Sequence, residues 1–287
     1  MNAGRVADTP HADRPIGVFD SGVGGLSVLR ALRDALPQEH FVYVADTAHA
    51  PYGERGDAHV AERTRAIAHH LVQAQRIKAL VVACNTATAA AIHLLRNDHP
   101  RLPVVGVEPA LKPAIALTRT GHVAVFATRV TLGSGKFEAL HASLAEQAAF
   151  HLVPCDGLAG AIERDDAPAI AALCEHYARA AGRFGGAPGE IDTLVLGCTH
   201  YPFVAEVLRR STGETVRFID TGEPVAQQTR RLLAAAGTLR GAGTGSARLL
   251  ASGSPCALDA AAQRWLAPSP AAPSTARLAL AESAAPA

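Results

Sequence analysis

Apolar residues in this chain come in short unbroken runs separated by longer stretches with helical spacing. That is the pattern of buried parallel strands alternating with helices. The runs fall at 16–20, 41–45, 79–84, 104–107, 122–127, 193–197 and 216–220. Between them, Val60, Ile67 and Leu71 form one apolar stripe, predicting a helix over 57–75. Helices are also predicted at 26–36 and 86–96, the latter with Asn85 as its N-cap. The fold class this predicts is α/β, with mostly parallel sheets covered by helices.

The order of these runs repeats. Residues 122–127 parallel 16–20, 193–197 parallel 79–83, and 216–220 parallel 104–107. The runs at 79–84 and 193–197 each lead to a cysteine, in Val-Val-Ala-Cys-Asn-Thr (81–86) and in Val-Leu-Gly-Cys-Thr-His (195–200). A Glu-Pro pair follows each cysteine, 24 residues on at Glu108-Pro109 and 25 residues on at Glu223-Pro224. An internal duplication accounts for this. Two pseudo-symmetric doubly wound domains would then face each other. Ligands of open α/β sheets collect at the C-terminal strand tips, so both thiols would face one cleft.

Composition narrows the field. A net charge of +1 gives no reason to expect nucleic acid or a membrane surface as partner. Only Lys78, Lys112 and Lys136 are lysines and none lies in the strand-tip motifs, which argues against a Schiff-base cofactor. The five cysteines (Cys84, Cys155, Cys174, Cys198, Cys256) form no CxxC pair, so no metal cluster is expected. The first residues carry no apolar signal core and no run reaches membrane-spanning length. The expected setting is a reducing cytoplasm. Segments 1–14 and 267–287 read as disordered, and 241–246 as a flexible connection.

Of the cysteines, Cys155, Cys174 and Cys256 read as small buried hydrophobes. For Cys84 and Cys198, a strand tip followed by a helix predicts a stabilised thiolate. Opposed thiols suit one reaction in particular. One takes a proton from a carbon while the other returns one to the opposite face. Asp20, ahead of the turn Ser21-Gly-Val-Gly-Gly25, can orient an ammonium or a thiol, and the glycines would free N–H groups for a carboxylate. His200, two residues from Cys198, can share its proton. Thr86, Thr128, Thr131 and Thr199 offer hydroxyls near the strand tips.

The motifs Ile-Gly-Val-Phe-Asp-Ser-Gly-Val-Gly-Gly (16–25), Ala-Asp…Pro-Tyr-Gly (45–53), Ala-Cys-Asn-Thr-Ala (83–87) and Gly-Cys-Thr-His-Tyr-Pro (197–202) resemble those of the glutamate racemases of the aspartate/glutamate racemase family. The resemblance runs in order over about 15–266 and also takes in Asp220-Thr-Gly222 and Ser252-Gly-Ser-Pro255. It implies a cofactor-independent enzyme that interconverts L- and D-glutamate and supplies D-glutamate for peptidoglycan. Cys84 would act on the D-enantiomer and Cys198 on the L-enantiomer, assisted by Asp20 and His200, with Glu163 supporting His200. Ser21, Pro51, Tyr52, Gly53, Asn85, Thr86, Thr128, Thr131 and Thr199 would contact substrate. The family fold implies a first domain of 15–107 plus 221–266 and a second of 108–220, and leaves room for a homodimer. Val130 stands where the family usually has glycine, and Cys155-Asp156 where it usually has Cys-Pro. Two rivals stay open: a racemase or isomerase of another small acid such as aspartate, and a non-catalytic amino-acid binder on the same frame.

Overall fold

The computed structural model describes residues 11–266 and 273–278. Among the described residues ten strands form two parallel sheets. The first contains β1 (Ile16–Asp20), β2 (His40–Ala45), β3 (Ala79–Val82) and β4 (Val104–Gly106). The second contains β5 (His122–Ala127), β6 (Ala149–Pro154), β7 (Thr193–Leu196) and β8 (Arg217–Ile219). The chain then returns to the first sheet with β9 (Ser246–Ala251) and β10 (Ser274–Arg277). The sheets are ordered β10-β9-β2-β1-β3-β4 and β6-β5-β7-β8. The run β2-β1-β3-β4 thus matches β6-β5-β7-β8 strand for strand, as the repeat predicts.

The central strands are buried along their whole length because helices cover both sheet faces. Every residue of β1, β3 and β7 is buried, which is why these strands read as continuous apolar runs. On one face of the first sheet, Leu29 and Leu32 pack with Val225 and Leu233; on the other, Val60, Ile67 and Leu71 form the stripe expected of their helix. The second sheet is lined by Phe126, Leu194 and Leu208 on one face and by Val123, Val195 and Leu111 on the other.

Three expectations change at the periphery. Residues 273–278, expected in the unordered tail, include β10, which pairs in register with β9; the backbone ladder outweighs the Ala/Pro-rich composition. Residues 267–272 and 279–287 lie outside the described residues. His11–Asp13 form a 3-10 turn rather than loose arm. The buried Lys78 ammonium donates to the Ala12 carbonyl (2.5 Å), and Arg240 pairs with Asp13; residues 1–10 lie outside the description. The segment 241–246 is anchored, since Gly245 donates its N–H to the Pro37 carbonyl and Ser246 opens β9.

The halves meet at their strand tips. Phe203 stacks on Trp265 (centroids 4.4 Å apart), and Arg264 pairs with Asp165. Among the described residues no helix is long and apolar enough to cross a membrane.

Candidate active site

The duplication delivers one cysteine from each sheet. Cys84 follows β3 and Cys198 follows β7, equivalent places in the repeat. Both are buried and both line a single cleft, together with Asp20, Ser21, Pro51, Tyr52, Gly53, Asn85, Thr86, Thr128, Thr199 and His200. The cleft holds about 550 Å³ of atom-free space, counting its opening to solvent.

On the first side, Cys84 itself is the N-cap of the helix Asn85–Asp98; its sulfur accepts the Ala87 N–H at 3.4 Å. Asn85, expected as the cap, is the first helical residue. A thiol is outside the usual capping set, so sequence favoured the amide. The Cys84 thiol also faces Ser21 Oγ at 3.7 Å, and Ser21 donates to Asp20 Oδ1 through both N–H (2.6 Å) and hydroxyl (3.2 Å). The expected thiolate does not hold here. Burial first, then the Asp20 charge, push the Cys84 thiol well above its ordinary range, outweighing the capping N–H. Burial likewise raises Asp20, against the opposing effect of His200 and the Thr199 hydroxyl.

On the second side no α-helix begins at the cysteine. A 3-10 turn, Tyr201–Val204, comes first and the helix starts at Ala205. The helix-terminus argument therefore fails for Cys198, and a side-chain chain takes its place. Cys198 Sγ lies 3.6 Å from His200 Nδ1, and His200 Nε2 lies 2.6 Å from Glu163 Oε1. Burial alone would lower His200, but Cys198 and Glu163 hold it well above the usual imidazole range. Burial would raise Glu163; the His200 partner and the Val23 N–H (2.8 Å) keep it below the ordinary carboxyl value. Thr199 donates across the interface to Asp20 Oδ2 at 3.0 Å, joining the two sides beneath the cleft.

Part of the glycine-rich turn is engaged within the protein. Two of its N–H groups are already engaged, Ser21 by Asp20 and Val23 by Glu163. What the glycines supply is closeness. A Cβ on Gly22 would sit 1.8 Å from Glu163 Oε1, and one on Gly24 would sit 2.4 Å from His200 Nδ1. Gly22→Ala and Gly24→Ala should therefore displace this pair and lower turnover by roughly 10²-fold. Steady-state kinetics beside a thermal melt would check it; full activity in a folded variant would show that the pair is not needed where it stands.

The loop 46–53 is held by Asp46. Its carboxylate takes the Arg63 guanidinium in a fork (2.9 and 3.0 Å) and the Tyr52 hydroxyl (2.6 Å). Burial would raise Asp46, but these donors keep it below the usual carboxylate value. Removing Arg63 would leave this buried charge without its cation. We expect Arg63→Met to cost about 3 kcal/mol in a urea titration near neutral pH. The gap should narrow as acid protonates Asp46, because the fork stabilises only the ionised form; a gap independent of pH would contradict this role.

Not every expected residue reaches the cleft wall. Thr131 sits behind Thr128, its hydroxyl 2.9 Å from Thr128 Oγ1, and Glu163 sits behind His200. Val130 lies in the regular turn Arg129–Leu132, capped by Thr128, so no glycine-specific backbone is required there. Cys155, read as a bystander, lines the cleft beside Asp156 and Gly157, while Cys256 is exposed rather than buried. Cys174 is in the core as expected. Both polar atoms of the buried Asn85 amide lack a hydrogen-bond partner, a demand no sequence pattern announces.

The chain is similar to known proteins over most of its length. The family description Asp/Glu/Hydantoin racemase matches residues 16–229. A glutamate racemase of Ectopseudomonas mendocina is 51% identical over 221 residues, covering 76% of this chain and 82% of that protein. The structure of glutamate racemase isoform RacE1 from Bacillus anthracis superposes with a TM-score of 0.79 at 32% identity, covering 89% of this chain and 95% of that one. Escherichia coli glutamate racemase in complex with L-glutamate and the activator UDP-MurNAc-Ala gives 0.76 at 32% identity, covering 92% and 99%.

Proposed function

The chain belongs to the Asp/Glu/Hydantoin racemase family, and we propose that it interconverts L- and D-glutamate by proton transfer between two thiols. The observation that carries this reading is the pair of sulfurs at equivalent repeat positions, delivered by separate sheets to one cleft. A binding protein on this frame would leave that pair without a purpose.

In the direction from L- to D-glutamate, the Cys198 thiolate removes the α-proton while the Cys84 thiol delivers one to the opposite face. The elevated Cys84 thiol suits the donor role. For the reverse direction Cys84 must ionise, and the Ser21–Asp20 pair can receive its proton through contacts of 3.7 and 3.2 Å. His200 and Glu163 stabilise the Cys198 thiolate as an imidazolium held by a carboxylate. The two carboxylates and the ammonium of substrate meet the hydroxyls and amide of Ser21, Asn85, Thr86, Thr128 and Thr199. Among the described residues no lysine or arginine lines the cleft. Fixed dipoles of these groups stabilise the charge that builds on the α-carbon's carboxyl group. His200 and the Pro51–Gly53 loop favour glutamate over aspartate. The free thiols suit a reducing cytoplasm, where D-glutamate would feed peptidoglycan synthesis.

Asn85→Ala tests substrate contact separately from folding. The variant discards an unpaired buried amide, so the melt should hold or rise. KM should rise about tenfold or more; an unchanged KM would remove Asn85 from the binding set. The reading as a whole is tested by incubating the protein with L-glutamate in heavy water without added pyridoxal or metal. Optical signal should decay while deuterium enters the α-carbon, and L-aspartate in parallel should react far more slowly. A folded, reduced protein that changes neither signal refutes the reading.

A further inference from the structure

The two half-sites belong to different sheets, so catalysis needs something to hold them in register. The turn after β1 touches the second half at three polar points. Asp20 accepts from Thr199, Val23 donates to Glu163, and Ser27 Oγ lies 2.8 Å from the Thr199 carbonyl. The first two involve groups assigned to the chemistry. Ser27 does not line the cleft.

Ser27 lies in the first turn of the helix Leu26–Ala35 and is buried. Its hydroxyl also faces the Gly24 carbonyl at 2.9 Å. A serine bonding back three residues is ordinary near a helix start. A hydroxyl has one proton, however, and the second carbonyl comes from a residue 172 positions away in the chain. That carbonyl belongs to Thr199, flanked by Cys198 and His200. The clearance at Gly24 shows how tight this junction is: a Cβ there would lie 2.7 Å from Thr199 Oγ1 and 2.4 Å from His200 Nδ1.

We propose that Ser27 is a positioning residue, whose hydroxyl pins the backbone of the Cys198–His200 segment to the turn that carries Asp20 and thereby sets the spacing of the two thiols across the substrate. This rests on the two-thiol reading above. Proton transfer depends on sub-ångström placement, whereas binding is spread over many weaker contacts. Loss of the pin should therefore fall on chemistry more than on affinity.

The test is the Ser27→Ala variant with L-glutamate and its α-deuterated form, beside Ser27→Thr, which restores a hydroxyl. For Ser27→Ala we expect kcat to fall about tenfold or more, KM to stay within about threefold, and the primary deuterium isotope effect on kcat/KM to grow. Ser27→Thr should recover most of the turnover and the wild-type isotope effect. A merely structural residue would act by reducing the folded fraction, which lowers apparent kcat but leaves the isotope effect and KM untouched. That result, or unimpaired turnover in Ser27→Ala, overturns the proposal. Wild-type protein inert toward glutamate in the same assay would instead strike the underlying racemase reading.

Discussion

Cys84→Ser and Cys198→Ser are each expected to lower glutamate racemisation by about 10³-fold or more, with little change in thermal stability. A serine hydroxyl keeps the shape of the thiol but is far too weak an acid to reach the charged state near neutral pH, and a placed acid or base contributes roughly 10² to 10⁴-fold. The enantiomers have equal free energy in water, so kcat/KM must fall by one common factor in both directions. The asymmetry belongs in exchange. Cys84→Ser retains Cys198, which can still lift and return the α-proton of L-glutamate on one face; Cys198→Ser retains Cys84 and the corresponding exchange on D-glutamate. Nuclear magnetic resonance of each enantiomer in heavy water should show deuterium entering without inversion. Either single variant racemising at more than a tenth of the wild-type rate would contradict a two-thiol mechanism.

The second large effect is expected at the Glu163–His200 pair. Glu163→Gln keeps a hydrogen-bond acceptor beside His200 Nε2 but removes the charge that helps hold the imidazolium against burial. Turnover should fall about 10²-fold, because the imidazolium beside Cys198 loses its charged support. The alkaline limb of the activity profile should move to lower pH, because a less supported imidazolium gives up its proton earlier. Stability has a matching sign. His200 is raised in the folded protein, so its contribution is present in full below the unfolded imidazole value near 6.5 and is lost as pH rises through the folded value. The wild type's stability advantage over Glu163→Gln should therefore be largest in mild acid, above the range where Glu163 itself protonates, and shrink toward alkaline pH. An unchanged alkaline limb in a folded variant would remove Glu163 from the mechanism.

The parts of the molecule that sequence made legible are those with unbroken burial. β3 and β7 are wholly buried, so each reads as a run of Ala, Leu, Val and Thr ending near a cysteine, and the repeat of that pattern located both thiols. β6 did not stand out, because as the edge strand of its sheet only Val153 is fully buried. β10 was hidden by the Ala/Pro-rich composition around it, since a short edge strand can be stabilised by its ladder alone. The thiol environment was legible in place but not in charge. A helix start predicts a lowered thiol, whereas burial and Asp20 decide otherwise at Cys84, and both are products of tertiary packing. The Asp46–Arg63–Tyr52 hub and the Ser27–Thr199 contact join residues that no local pattern pairs. Glu163 was found by family resemblance only; its contact with Val23 arises where the end of the helix Leu158–Glu163 meets the turn after β1 across the interface.

The proposed chemistry requires two sulfurs bracketing one carbon. A crystal structure of the protein with glutamate bound measures this directly. Cys84 Sγ and Cys198 Sγ should lie on opposite faces of the α-carbon, each at near-contact distance. Both sulfurs on one face, or the α-carbon seated well away from either, would contradict it.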